Sequence, residues 1–425
     1  MLALLKTNFK ISTIDIVYWG IVYCFILYAF EGPIRFYSDK VSFREFIYTK
    51  DIVLLALGTL LVFRVDDRVL TSRIVVIYIY VMSLFGLVAL LNGLPIKQVF
   101  LAYKIYLILF VGIQSYRLLP ELGPRLLKAM NCLALFSCLG LIINMFCSFP
   151  WEGVDMSIGN IIVDTSRTAY AAGGFKRVAG FGRNWSNPAY FALIATVLNY
   201  SYIKHIKFRH IILVLVFFIG ILISTNKGAI ITFLIISFFA VIIRKVPSYI
   251  LKIVMLATLL IVIALPLLSW NEVLNVDYSS LVSRIIFSSF KARVEDVWPQ
   301  ALILIKEHGS LIFGRGIGGI GAPQLIFEPS IYHPADNLFI YLYGLFGVFS
   351  CVIFAYLGVK IMVLSIKDSR DTIFVAYLIL SFLGIGVIGS ALENGILNFF
   401  FGIMLASLYS QKIKFISSSV SDLPS

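Results

Sequence analysis

Residues 249–269 read YILKIVMLATLLIVIALPLLS. Only Lys252 is charged, and no glycine interrupts the run. A helix rises about 1.5 Å per residue, so about 20 apolar residues cross the ~30 Å hydrocarbon core of a bilayer. Inside lipid the backbone must satisfy its own hydrogen bonds, which makes this run a membrane-spanning helix. The run stops at Trp270. The stretch that follows, 270–335, is the longest in the chain without a spanning pattern.

The same pattern recurs on both sides. Apolar runs fall at roughly 13–30, 51–63, 74–94, 98–116, 126–149, 187–203, 210–224, 228–243, 337–359, 371–391 and 395–410, which with 249–269 predicts about twelve spans. The second and last runs are short. A mean hydropathy of +0.96, with 60% hydrophobic and 13% charged residues, excludes a soluble domain, because soluble chains hold about 25% charged residues. The expected fold is an all-α polytopic membrane protein, one integral membrane domain over residues 1–425. The first run lacks a small-residue cleavage site and is read as a span, not a leader.

Charge orients the bundle. With the N-terminus in the cytoplasm, the cytoplasmic segments carry about 19 lysines and arginines, and the three short outer turns hold only Lys97 and Lys227. Short loops set orientation by this asymmetry, so both termini are expected inside. The net charge of +13 is then a property of cytoplasmic loops and not a nucleic-acid signal. Three long segments fall outside: 31–50, 150–186 and 270–335. Their cations gain nothing from the orientation rule and are either a solvated face or a binding surface. Cys24, Cys132, Cys138, Cys147 and Cys351 lie in apolar runs with no CxxC pair, and are read as small buried hydrophobes.

The second outer segment ends in Gly173-Gly174-Phe175-Lys176-Arg177-Val178-Ala179-Gly180-Phe181-Gly182-Arg183-Asn184-Trp185-Ser186-Asn187-Pro188. Asn187 is placed as an N-cap and Pro188 as the first helical residue. Arg177, Arg183 and a helix N-terminus together suit an anion. In the turn Ser224-Thr225-Asn226-Lys227-Gly228 the lysine either snorkels to the interface or aims at the same anion. The third segment carries Arg284, Lys291, Arg293, Lys306 and Arg315, and its residues 291–308 have helical apolar spacing. Pro299 bends that helix or lies near the start of a shorter one. The result is an amphipathic helix on the membrane surface or a lid over the bundle.

Residues 313–321, Phe-Gly-Arg-Gly-Ile-Gly-Gly-Ile-Gly, match GxGxxG twice. A dinucleotide site is rejected, because no strand, crossover helix or downstream acid accompanies the match. The expectation is a turn that presses backbone against a ligand. His333 stands beside Asp336 and Asn337 at a span entrance, where a carboxylate neighbour tunes an imidazole as a base. Lys104 lies mid-span, where charges default to functional candidates; Arg35 and the segment 31–50 have no assigned role. No Walker, HExxH or GxSxG motif, His/Cys cluster or outer DxD pair occurs, which argues against ATP-driven transport, zinc proteolysis, that hydrolase type and a metal-bridged sugar nucleotide.

In order along the chain come Arg183-Asn184-Trp185-Ser186-Asn187-Pro188, the one-cation turn 224–228, Arg293-Val294-Glu295-Asp296-Val297-Trp298, Gly314-Arg315-Gly316-Ile317-Gly318, and His333-Pro334-Ala335-Asp336-Asn337-Leu338-Phe339. Gly344 and Gly347 follow. This order resembles the bacterial O-antigen polymerase and O-antigen ligase superfamily over residues 150–350, and over the whole chain by topology. The chain departs from it in two places: three residues separate His333 from Asn337, where many relatives have the pair adjacent, and Lys227 stands where relatives often have Arg.

The resemblance implies a GT-C-like, inverting, metal-independent glycosyltransferase with no cofactor. It would act at the periplasmic face of the inner membrane on undecaprenyl-diphosphate-linked oligosaccharide, with membrane lipid and a chain-length regulator as candidate partners and no nucleic acid. A polymerase moves the growing chain onto the next lipid-linked repeat; a ligase moves it onto lipid A-core; a lipid-linked saccharide flippase is the rival of another class. The expected residues are His333 as base, with Asp336 or Asn337 orienting it, and Arg177, Arg183, Lys227, Arg284, Arg293 and Arg315 on the diphosphate.

Overall fold

The computed structural model describes residues 12–64, 68–158, 161–167, 169–170, 176–203, 207–242, 247–274, 281–366 and 370–421. At 64, 68–72, 158, 161–163, 169–170, 281–286 and 411–421 the description is of backbone alone. About 79% of the chain is helical, so the all-α expectation holds.

Every apolar run becomes helix. In chain order they are α1 (Thr13–Ala29), α2 (Glu31–Lys40), α3 (Thr49–Arg64), α4 (Arg68–Leu91), α5 (Ile96–Ser115), α6 (Leu119–Phe146), α7 (Ser186–Tyr202), α8 (Phe208–Ile223), α9 (Lys227–Ile242) and α10 (Ser248–Trp270). Then come α11 (Leu281–Ala292), α12 (Trp298–Glu307), α13 (Ala322–Phe327), α14 (Leu338–Phe346), α15 (Phe349–Val363), α16 (Arg370–Gly386) and α17 (Gly395–Ser421). Two small antiparallel hairpins interrupt the helices, Asp155–Ile158 with Ile161–Asp164 and Ala169–Tyr170 with Lys176–Arg177.

Four described stretches are long and apolar enough to cross a membrane: Arg44–Phe63, Arg73–Leu91, Ile96–Phe146 and Ser248–Trp270. A fifth exists if α1 and α2, bent by 80°, count as one. Ile96–Phe146 holds two of the apolar runs, divided by a 3-10 turn at Tyr116–Leu118.

α7 and α16 are buried along nearly their whole length, and α17 packs closely on α5. Gly112 and Gly402 permit that contact, because a Cβ on either would strike backbone of the facing helix. Small residues at such crossings let backbones approach where lipid removes the usual hydrophobic drive. Around this centre, α3, α4, α9, α10 and α15 turn apolar side chains outward, Phe63, Ile77, Phe238, Leu260 and Val352 among them. An apolar exterior of this extent marks lipid contact in a chain of this composition. Cys132, Cys147 and Cys351 share the exposed faces, contrary to expectation; Cys24 and Cys138 are buried.

The run expected as one span at 337–359 is broken into α14 and α15 at Gly347, whose φ is +56°. Only a residue without Cβ adopts this easily. The glycine loop fills the break: Val348 N donates to Ile312 O at 3.0 Å and Arg315 N to Gly344 O at 2.7 Å. The same loop reaches α4 and α5, where Ile317 N donates to Phe85 O and Gln98 Nε2 to Gly318 O. The GxGxxG-like stretch therefore presses its backbone against helices. Freed backbone groups within a bundle are re-satisfied in this way.

All six connections expected on the outer side gather at one end. Arg44 Nη1 bonds Ser157 Oγ, tying the first segment to the second. Asn92 Nδ2 bonds Gly314 O, tying the short turn before α5 to the third. Glu393, before α17, accepts from Ala322 N, and Arg177, Asn226 and Arg293 line one cavity with it.

Candidate active site

At that end lies a cavity of about 330 Å³, within the usual range for small-ligand pockets. Four of the six connections supply its walls: Arg177 and Asn184–Ser186 before α7, Thr225–Lys227 before α9, Ser289, Arg293 and Asp336 from the long segment between α10 and α14, and Ser390, Glu393 and Asn394 before α17. Three helices, α7, α9 and α17, begin at its rim. Each brings the partial positive charge of its N-terminus, with Asn184, Asn226 and Asn394 capping N–H groups of the first turns.

Local sequence sets the geometry. The π-turn Arg293–Val297 and Pro299 at the start of α12 swing Arg293 off the regular helical path. Arg293 Nη1 donates to Ser289 O at 2.8 Å and Nη2 pairs with Asp336 Oδ2 at 3.0 Å. The Arg293 Nε is buried with no hydrogen-bond partner. Lys227 Nζ reaches Ser289 Oγ at 3.4 Å. Arg177 lies 5.5 Å above the Trp185 ring, and its Nε is also buried and unpartnered. Asn394 Nδ2 donates to Asn187 Oδ1 at 2.7 Å, joining α7 to α17 below the rim.

Two residues of the lining hold a left-handed backbone despite a side chain, Thr225 at φ +55° and Asp336 at φ +42°. Only two others in the described chain do so, Ser42 and Glu272. Such conformations cost about 1–3 kcal/mol and collect where function over-determines them.

The cations of the lining act on one another. Burial and the neighbouring guanidinium of Arg293 hold Arg177 below its usual range, with Asp336 opposing. Burial, Arg177 and Arg293 do the same to the Lys227 ammonium. Cations that lower one another gain most from an added negative charge. Glu393 moves the opposite way: burial raises its carboxyl, Asp336 adds to this, and the bonds from Ser390 and Ala322 oppose it.

The expected residues separate into groups. Arg177, Lys227, Arg293 and Asp336 meet in the cavity. Arg183 does not: it lies by Glu31 and Arg35, in a buried cluster where Arg35 Nη2 pairs with Glu31 Oε1 at 2.6 Å. Arg315 is only 1% exposed and is spent inside the glycine loop, on His308 O, Gly319 O and Glu328 Oε1. Asn337 orients no histidine. It caps α14 through Phe339 N and Ile340 N, and donates to Val262 O and Val387 O. His333 is half-buried and absent from the lining, although Asp336, three residues on, is part of it. The Arg284 side chain, with Gly173, Gly174 and Phe175, lies outside the described residues.

Three further expectations change. α7 starts at Ser186, ahead of Asn187, and Asn184 Oδ1 takes the Asn187 N–H at 3.0 Å. Lys104 pairs with Asp51 at 2.7 Å and sits 3.6 Å over the Tyr48 ring, so its charge is answered locally. The segment 31–50 forms α2 and a 3-10 turn, with Glu31 and Arg35 buried beneath the second segment.

Glu393 is the acidic lining residue that the sequence reading passed over. It is the sole acid between Asp371 and Asp422, and a lone acid between two apolar runs is itself a signal. Among the described residues no group of three or more His, Cys, Asp or Glu side chains could hold a metal ion. No family model, no curated protein and no solved structure matches the chain.

Proposed function

We propose that this protein is a surface-polysaccharide polymerase of the O-antigen kind, an inverting glycosyltransferase with the cavity opening to the periplasm. The observation that carries the reading is the convergence of Arg177, Lys227 and Arg293, from three separate connections, on one half-buried cavity. The topology behind it has twelve spans in a GT-C-like bundle, both termini cytoplasmic, in a bacterial inner membrane. Its support is that all six connections assigned to one side by charge do gather at one end.

In this reading the diphosphate of an undecaprenyl-diphosphate-linked glycan lies against the three cations. Guanidinium groups grip two phosphate oxygens at once and stay charged. A hydroxyl of the next lipid-linked repeat attacks the anomeric carbon from the opposite face. The new C–O bond forms as the bond to the diphosphate oxygen breaks, and the electron pair leaves with undecaprenyl diphosphate. Fixed cations placed where that charge develops lower the barrier and need no reorganisation. The rim helices add their N-terminal dipoles.

The test is surface polysaccharide on a gel, from cells lacking the gene and complemented with wild type, Arg293→Ala or His333→Ala. The expected result is a lipid A-core bearing a single repeat in the null, a ladder restored by wild type, and little ladder with Arg293→Ala. Since His333 stands outside the lining, its replacement should leave the ladder. Bare core with polymer held on undecaprenyl diphosphate would instead make the protein a ligase. Repeat units left on the cytoplasmic face would make it a flippase and sink the reading.

A further inference from the structure

A glycosyl transfer needs somewhere for the acceptor's proton to go, and the cavity offers two carboxyl groups. Asp336 is held against Arg293 at 3.0 Å, which commits that carboxylate to the guanidinium. Glu393 has no ion-pair partner among the described residues. Its Oε2 accepts from Ser390 Oγ at 2.7 Å and its Oε1 from Ala322 N at 2.5 Å. The two bonds fix the carboxyl in the wall that also holds the cations. Room for it is made on purpose: Gly321 has φ +89°, and a Cβ there would collide with Glu393 Oε1.

We infer that Glu393 is the catalytic base, taking the proton of the attacking sugar hydroxyl; the inference rests on the transferase reading above. The balance is simple. The acceptor O–H breaks, its proton passes to a Glu393 carboxylate oxygen, and the acceptor oxygen bonds the anomeric carbon. The leaving diphosphate departs with the electron pair, and Glu393 then returns the proton to solvent. Two acids in one cavity with different surroundings divide such work: one is taken up by its cation, the other is left to accept the proton.

Other groups face Glu393. They are Asp336, which raises its carboxyl, and Arg167, which lowers it, with Tyr332, Tyr341 and Tyr106 nearby. With burial dominant, its titration lies above the ordinary glutamate range near 4.3. A base must be deprotonated to act, so transfer should fall as pH drops through that raised value.

The test uses full-length protein in lipid nanodiscs, with lipid-linked repeat unit extracted from cells that lack the gene as donor and acceptor. Wild type, Glu393→Gln, Glu393→Asp and Arg293→Ala are compared for turnover from pH 4.5 to 8.5, and for binding of undecaprenyl diphosphate. Glutamine keeps an oxygen for Ala322 N–H, so Glu393→Gln should fold as wild type does. The expected result is a loss of turnover of about 10²–10⁴-fold, loss of the acidic limb, and undecaprenyl diphosphate binding no weaker than wild type. Glu393→Asp should keep an acidic limb at reduced rate. A Glu393→Gln protein that retains turnover and the limb overturns the inference and leaves the transferase reading standing. A wild-type protein that neither binds undecaprenyl diphosphate nor turns over overturns both, and there Arg293→Ala would differ from wild type in neither assay.

Discussion

The ion pair between Arg293 and Asp336 makes a prediction whose sign discriminates. Asp336 occupies one face of the Arg293 guanidinium. A diphosphate that binds there must share the arginine and sit near the carboxylate. At about 6 Å, with an effective dielectric constant of about 20–40, the two like negative charges repel by about 1.5–3 kcal/mol. Exposure of 19% for the arginine and 34% for the aspartate places the pair at the weaker end once salt screens it. Asp336→Asn should therefore tighten binding of undecaprenyl diphosphate about tenfold, since 1.4 kcal/mol is a factor of ten. Arg293→Ala removes a charge-assisted bond of about 1.5–3 kcal/mol and should weaken binding about 10–100-fold. Asp336→Asn should also steepen the salt dependence of binding, and Arg293→Ala should flatten it. The assay is calorimetry or microscale thermophoresis in nanodiscs, with undecaprenyl diphosphate as titrant. A pair whose only duty is to hold the loops together gives loss on both sides. Weaker binding in Asp336→Asn would refute the anion-site argument.

Other outcomes follow from the same coordinates. Arg315→Ala strips a fully buried charge from His308 O, Gly319 O and Glu328, and should cost about 3–5 kcal/mol of stability; thermal unfolding in detergent reads it, and Arg315→Lys, lacking the fork, should recover less than half. Asn337→Ala removes the α14 cap and two donations to buried carbonyls, a loss of about 2–3 kcal/mol, while Asn337→Asp should restore only the cap. Burial works against ionisation of Glu31, yet Arg35, Lys50 and Arg183 overcome it and hold the carboxyl down at about 2. That depressed value contributes stability above pH ~4.3 that fades as pH falls toward 2. Unfolding temperature should drop steeply over this window, and Glu31→Gln should be less stable at neutral pH with a flatter acid slope.

Much of the bundle was legible because a membrane imposes a length and a composition. The apolar runs at 13–30, 210–224 and 249–269 reappear as α1, α8 and α10 with ends shifted by one or two residues. The run at 337–359 was not legible as two helices, since hydropathy carries no record of the loop that docks at Gly347. At the site, Arg177, Lys227 and Arg293 stood out because cations on the outer side lack the usual reason to be there. Arg183 and Arg315 shared that mark and serve elsewhere, because burial and partners decide a cation's use. Glu31 is 152 positions from Arg183, a distance no local pattern spans. His333 looked placed by its neighbours in sequence. The left-handed turn at Asp336 puts only the later residue into the cavity wall.

The break at Gly347 has a consequence for how the chain is made. α14 has nine residues, about 14 Å, and α15 has fifteen, about 22 Å; neither alone spans ~30 Å of hydrocarbon. Insertion machinery weighs apolar length, and 338–363 offers it one continuous segment with a single charge, Lys360. If the segment enters the bilayer whole, it becomes two helices when Ile312 and Arg315, already translated, reach it from a loop anchored on α4 and α5. A Gly347→Val chain should then insert as wild type does yet fail to dock the loop, leaving residues 310–321 open to protease.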